Sequence, residues 1–119
     1  MRTRRVFLNR LDPIREPVDA VVVIDVLRSF STAAYAFVAG AGTIYPVETI
    51  AAAFRLQRQL PDAVTTGAVG GGDPIPGFDF GNSPAALQHV HLAGRPLIQT
   101  TAAGVRGLTR FRHARALFA

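Results

Sequence analysis

Apolar residues recur along this chain in runs of two lengths, and the lengths predict its elements. From Ala20 to Ile24 the sequence reads AVVVI, with four β-branched residues in succession. An unbroken run of that kind suits a strand buried on both faces within a mostly parallel sheet. Thr43 to Val47, Ala63 to Thr66, Leu97 to Thr100 and Ala114 to Ala119 predict further strands, and Arg5 to Leu8 a short first one. Pro46 assigns the second parallel-type strand to an edge, or its own position to a strand end. Helical patterns fill the intervals. Ser31 to Val38 is rich in alanine and apolar on every side, and Gly40 is suited to end it as a left-handed cap. A second helix starts at Glu48 or Thr49, where Ile50, Phe54 and Leu60, with Ala53 and Gln57 between, make one stripe at helical spacing. Arg55 and Arg58 lie off that stripe, and Pro61 and Asp62 end it. Ser83 and Pro84 predict the start of a third helix running to Leu92. Residues 105–112 predict a fourth after Gly104.

The segment DPIREP, residues 12–17, reads as surface loop. Gly67 to Asn82 reads mostly as loop, with six glycines and two prolines. Phe78 and Phe80 give it apolar anchors, which argues for order and, at that length, for function. The element order is β-β-α-β-α-β-α-β-α-β, which predicts an α/β fold: layered α/β/α with a largely parallel or mixed sheet. A strand reaching the last residue predicts that more sheet is supplied from elsewhere.

Length and composition narrow the function. At 119 residues the chain is expected to be one domain, 1–119, with a single modest core. Although 49% of residues are apolar, no run approaches membrane-spanning length. The basic start MRTRR is followed by too short an apolar run for a secretory signal, so a cytoplasmic location is expected. The absence of cysteine excludes disulfides, thiolate metal sites and a cysteine nucleophile. The net charge is +5 and all 13 basic residues are arginine, clustered at Arg2, Arg4 and Arg5 and again at Arg106, Arg110, Arg112 and Arg115. That balance favours anionic partners. Nucleic acid is disfavoured, since no helix-turn-helix or RNA-binding signature accompanies the arginines.

Candidate chemistry gathers where the Ala20 strand ends. Asp25 and Arg28, with Ser29, Ser31 and Thr32, stand between that strand and the following helix. In open α/β sheets ligands collect beyond the carboxyl ends of strands, beside helix N-termini. A carboxylate, an arginine and hydroxyls at such a place are suited to a metal and an oxyanion. On spacing alone, Asp25 also reads as a helix cap and Asp79 as an Asx-turn in a glycine-rich loop. Arg28 reads as a bidentate anion binder or a surface salt bridge. Ser31, Thr32 and Ser83 read as caps, Asn82 as a turn residue, and Thr100 and Thr101 as strand threonines or the closing edge of a phosphate site. Gly70 to Gly72 make no Walker loop, because no Gly-Lys-Ser/Thr follows. His89 and His91, two apart on a predicted helix, fall on different faces and read as surface residues, as does His113.

Three blocks, VVVIDVLRSFST, IPGFDFGNSP and QTTAAGVRG, together resemble the 2-phosphosulfolactate phosphatase (ComB-type) family. Its blocks are close to V-I-D-V-L-R-A-T-S-T, G-F-D-x-G-N-S-P and T-T-N-G-T-R. Asp25, Val26, Leu27, Arg28, Ser31 and Thr32 fit the first block, and Gly77, Phe78, Asp79, Gly81, Asn82, Ser83 and Pro84 the second. The resemblance covers nearly the whole chain and matches the N-terminal half of the family, whose fold has two related halves with a site between them. It implies a Mg2+-dependent phosphatase acting on a small anionic phosphoester, in that family 2-phosphosulfolactate, on the route to coenzyme M. By the same resemblance Asp25 and Asp79 are the catalytic acids and metal ligands. Arg28, Ser31, Asn82, Ser83, Thr100 and Thr101 then bind substrate phosphate. A homo-oligomer or a separate second half is expected to complete the cleft. Departures are also present. Ala68 and Val69 stand where the family carries Glu-Arg, with Asp73 as a shifted substitute carboxylate, and Ala103 and Val105 flank Gly104 in place of Asn and Thr. These departures leave a second expectation, a catalytically inactive or incomplete domain serving as a binding or structural module.

Overall fold

The computed structural model describes residues 2–7, 17–70 and 72–119. Of the expected first strand, residues 5–7 carry no regular structure and Leu8 lies outside the described residues, as does most of the expected 12–17 loop.

Strands β1 (Ala20–Val22) and β7 (Ala116–Phe118) pair in parallel as a two-stranded sheet. The main sheet holds β2 (Thr43–Pro46), β6 (Pro96–Thr100) and β3 (Val64–Val69) in that spatial order, all parallel. On the far side of β3, β5 (Phe80–Gly81) pairs in parallel at Thr66 and Gly67, and β4 (Asp73–Pro74) pairs antiparallel at Ala68 and Val69. The result is the expected α/β fold, with a largely parallel sheet carrying one short antiparallel element.

Layering follows from alternation along β6. Leu97 and Ile98 are both 0% exposed yet belong to different apolar clusters. Leu97 packs with Val64, Ala36 and Leu87, beneath α1 (Ser31–Val38) and α3 (Pro84–Leu87). Ile98 packs with Ala53 and Ala63, beneath α2 (Ile50–Gln59). Successive strand residues point to opposite faces, so a strand apolar at consecutive positions needs cover on both sides. Helix α2 begins as expected: the Thr49 hydroxyl caps it, accepting from the Ala52 N–H at 3.0 Å. Gly40, at φ +93°, ends α1 in the left-handed conformation expected of it. Pro46 closes edge strand β2, where a missing N–H costs no ladder bond.

Four expectations change. The Ala20 strand is not buried on both faces: among the described residues its one neighbour is β7, and Val22 and Ile24 are left exposed. The strand from Ala63 continues to Val69, because β4 and β5 extend its ladder into the glycine-rich stretch. The phenylalanines do anchor that stretch, with Phe78 meeting Phe54 edge-on at 5.4 Å. Helix α3 stops at Leu87 rather than Leu92, since Leu92 is drawn into the core and its N–H donates to the Ala39 carbonyl at 2.8 Å. Finally, α4 (Gly104–Arg110) ends before Arg112.

Candidate active site

Every strand of the parallel ladder directs its carboxyl end to one side of the main sheet, and the Asp25 segment folds onto that side at β6. After β1 the chain forms a wide helical turn, Val26–Phe30, before entering α1. Asp25 caps this turn: its carboxylate Oδ1 accepts from the Ser29 N–H at 3.5 Å, and its carbonyl accepts from the Phe30 N–H at 3.0 Å. The cap reading of Asp25 is therefore realised, by a long bond that leaves the carboxylate largely uncommitted.

Ser29 locks the turn to the sheet. It is 0% exposed, its hydroxyl lies 2.8 Å from the Thr101 hydroxyl, and its carbonyl accepts from Gln99 Nε2 at 2.8 Å. Thr101 Oγ1 in turn accepts from the Val105 N–H at 3.2 Å, at the start of α4. Gly104 makes this junction possible. A Cβ at that position would come within 2.5 Å of Ser29 Oγ, 2.6 Å of Ser29 Cβ and 3.0 Å of Asp25 Oδ2. Asp25, Ser29, Thr101 and Gly104 therefore form one cluster from two separate parts of the chain, residues 25–29 and 101–104. Ser29 is among the hydroxyls the sequence places at this turn, but its pairing with Thr101 and Gln99 joins positions 72 and 70 residues apart, and neither Gln99 nor Gly104 carries a candidate role in the sequence. A buried serine beside a strand-end threonine carries no local signal of such pairing.

Arg28 is exposed, and its guanidinium lies across the turn after β3, against Gly72. Gly72 has φ +105°, and a side chain there would strike the Arg28 Nη2. Arg28 thus lies along the carboxyl edge of the sheet. Ser31 is committed elsewhere, its hydroxyl donating to the carbonyls of Val26 at 2.5 Å and Arg28 at 3.1 Å. Thr32 is 0% exposed, and its Oγ1 has no partner among the described residues.

Across β3 from β6, the register sets Thr100 beside Gly67 and Gly67 beside Gly81, so Asn82 follows at the same edge. Thr100 Oγ1 and Asn82 Oδ1 are both buried without partners among the described residues. Such groups normally find a bond, from protein, water or ligand. Ser83 precedes α3 with its hydroxyl unused as a cap, while its N–H donates to the Gly81 carbonyl at 2.9 Å. Asp79 is held at Thr65. Its Oδ2 accepts from both the N–H and the hydroxyl of Thr65 at 2.8 Å, and its own N–H donates to Thr65 Oγ1 at 2.9 Å. Thr65 pairs with Ile98, three residues before Thr101 on β6, which is about 10 Å along a strand. Its row faces α2. In this arrangement Asp79 clasps the glycine-rich loop to β3. Asp73, the proposed substitute carboxylate, pairs with Val69 at the β3–β4 turn.

Comparison with known proteins decides the relationship. The sequence profile described as 2-phosphosulpholactate phosphatase matches residues 8–119. The chain belongs to that family. A probable 2-phosphosulfolactate phosphatase of Carboxydothermus hydrogenoformans is 44% identical over 100 residues, covering 84% of this chain and 41% of the relative. One of Bacillus subtilis is 41% identical over 102 residues, covering 86% and 44% respectively. One of Prochlorococcus marinus is 42% identical over 105 residues, covering 84% and 42%. The chain therefore spans less than half the length of these family members. No helix among the described residues is long and apolar enough to cross a membrane.

Proposed function

We propose that this chain carries the substrate-binding and acid-bearing part of a Mg2+-dependent phosphatase whose substrate is a small anionic phosphoester of the 2-phosphosulfolactate type. The observation that carries this reading is the cluster of Asp25, Ser29, Thr101 and Gly104 at the carboxyl end of β6. Family membership supplies the substrate class.

The donor set fits a hard cation. Mg2+ takes oxygen ligands, commonly one or two carboxylates completed by water and substrate phosphate. Asp25 offers a weakly engaged carboxylate whose Oδ2 faces a recess that any Cβ at residue 104 would fill. Among the described residues no group of three or more His, Cys, Asp or Glu side chains converges, so an all-protein cage is not the expected form. Bound there, Mg2+ would neutralise phosphoryl charge and orient water. Asp25 would hold it, and Asp79 would contribute only after releasing Thr65. Arg28 would bind phosphate or sulfonate oxygens with its planar fork. Thr100 and Asn82 bring unpartnered buried oxygens to the same edge, while Thr101 and Ser29 keep the Asp25 turn in register. Ser31 would serve the turn more than the ligand. Ser83 would act through its unused hydroxyl.

A covering partner belongs to the same reading. Ile24, Val26 and Leu27, which flank Asp25 and Arg28, are all exposed, Leu27 at 89%. A second copy of the chain, or a second half, is proposed to cover them and exclude water from the site. A cytoplasmic location and a place before coenzyme M follow from the same reading.

The test is phosphate release from a panel of small phosphoesters, 2-phosphosulfolactate among them, with and without Mg2+. Metal-dependent release that disappears in Asp25→Asn is expected. Release that persists in that variant removes Asp25 from the mechanism, and silence from folded protein across the panel favours a non-catalytic module.

A further inference from the structure

The segment between α3 and β6 lies away from the Asp25 cluster and carries two of the chain's three histidines. Had the helix continued to Leu92, His89 and His91 would have diverged. Instead α3 ends at Leu87, and the next residues run outside any helix. Their burial alternates: His89 exposed, Val90 half-buried against the core, His91 exposed, Leu92 buried at 1%. His89 lies in a turn and residues 90–92 in irregular chain. With Val90 and Leu92 against the core, both histidines are left at the surface.

The backbone holding them is pinned at each end. Leu87 and Leu92 are each 1% exposed, the Val90 N–H donates to the Leu87 carbonyl at 3.2 Å, and the Leu92 N–H to the Ala39 carbonyl at 2.8 Å. Beyond Leu92 the Gly94 N–H donates to the Gly40 carbonyl at 2.8 Å. Both histidines line one groove of about 440 Å³ over the C-terminal half of α1, together with Tyr35 and Gln88. Among the described residues no acidic side chain lines it.

We propose that His89 and His91 form a two-imidazole site for a borderline transition-metal ion of the Zn2+ and Ni2+ class. Imidazole nitrogen favours such ions, whereas Mg2+ prefers carboxylate, phosphate and water oxygens. The absence of a carboxylate in the groove strengthens that discrimination. Water fills the remaining coordination positions, with the Tyr35 and Gln88 oxygens within the same groove. The site is separate from the Mg2+ site of the proposed phosphatase reaction and does not depend on it.

The experiment is calorimetric titration of untagged protein with Ni2+ at mildly alkaline pH, where imidazole is free to ligate. One Ni2+ per chain is expected, undiminished by excess Mg2+. His89→Ala and His91→Ala, both at exposed positions, should each weaken binding at least about tenfold, as ligand loss exceeds the usual effect of losing an outer partner. His113→Ala should leave it unchanged. Absence of binding up to about 1 mM Ni2+, or binding indifferent to either His89→Ala or His91→Ala, overturns the pair as a site.

Discussion

A single methyl group at position 104 tests the candidate site more sharply than removal of any polar group except Asp25. Alanine there would gain at most about 1 kcal/mol of helix propensity. It would also press on Ser29 and Asp25 Oδ2, at 2.5–3.0 Å, and overpacking of that kind costs about 1–3 kcal/mol. Overpacking should win: Gly104→Ala is expected to lower the urea midpoint and to reduce metal-dependent phosphate release together. Release at the wild-type rate in that variant would separate the Asp25 turn from the chemistry. Asp79 makes a contrasting prediction. Its carboxylate satisfies the Thr65 N–H and hydroxyl, so Asp79→Ala leaves buried donors unpaired and should cost about 1–3 kcal/mol in denaturant unfolding. An unchanged midpoint would free Asp79 from the structural role and return it to the metal.

Among the elements, β6 is the one on which both layers depend. Its Leu97 and Ile98 stand at the centres of opposite clusters, and its carboxyl end supplies Gln99, Thr100 and Thr101 to the site. Ile98→Ala, at a fully buried position, should cost about 2–5 kcal/mol through lost transfer energy and the cavity left behind. A loss below that range, measured by denaturant unfolding, would mean that α2 settles into the space. The elements β2, α1, α2 and β6 were legible in the chain because pattern and punctuation agree locally, as with Thr49 before Ile50 and Gly40 after Val38. The end of α3 was not. Nothing local stops a helix at Leu87; Leu92 is taken by the core beneath α1, and that pull comes from outside the segment.

For the whole molecule, the incomplete cover of β1 and β7 has the largest consequence. Val22, Ile24, Val26, Leu27 and Phe118 are all more than half exposed, and a parallel pair is ordinarily covered on both faces. Five large apolar side chains exposed together make a surface suited to a partner, of which a stable interface takes roughly 800 Å² from each side. Sedimentation is expected to show association that Leu27→Asp weakens. A folded wild-type monomer at high concentration would count against a second copy as the cover.

The alternation of longer strands and helices from Ala20 onward, the α/β class and the family blocks around Asp25, Asp79 and Asn82 were determined by the sequence alone, whereas the short strands β4 and β5 were not. Apolar periodicity, caps and motif spacing are local properties that a chain displays before it folds. Tertiary structure decided which of those residues meet. It brought Ser29 to Thr101 and Gly104 against Asp25, bound Asp79 to Thr65, laid Arg28 over Gly72, and turned His89 and His91 to one groove. Each of these pairings depends on strand register, on where a helix stops, or on a missing Cβ between distant segments. Such contacts come into being only when the layers close.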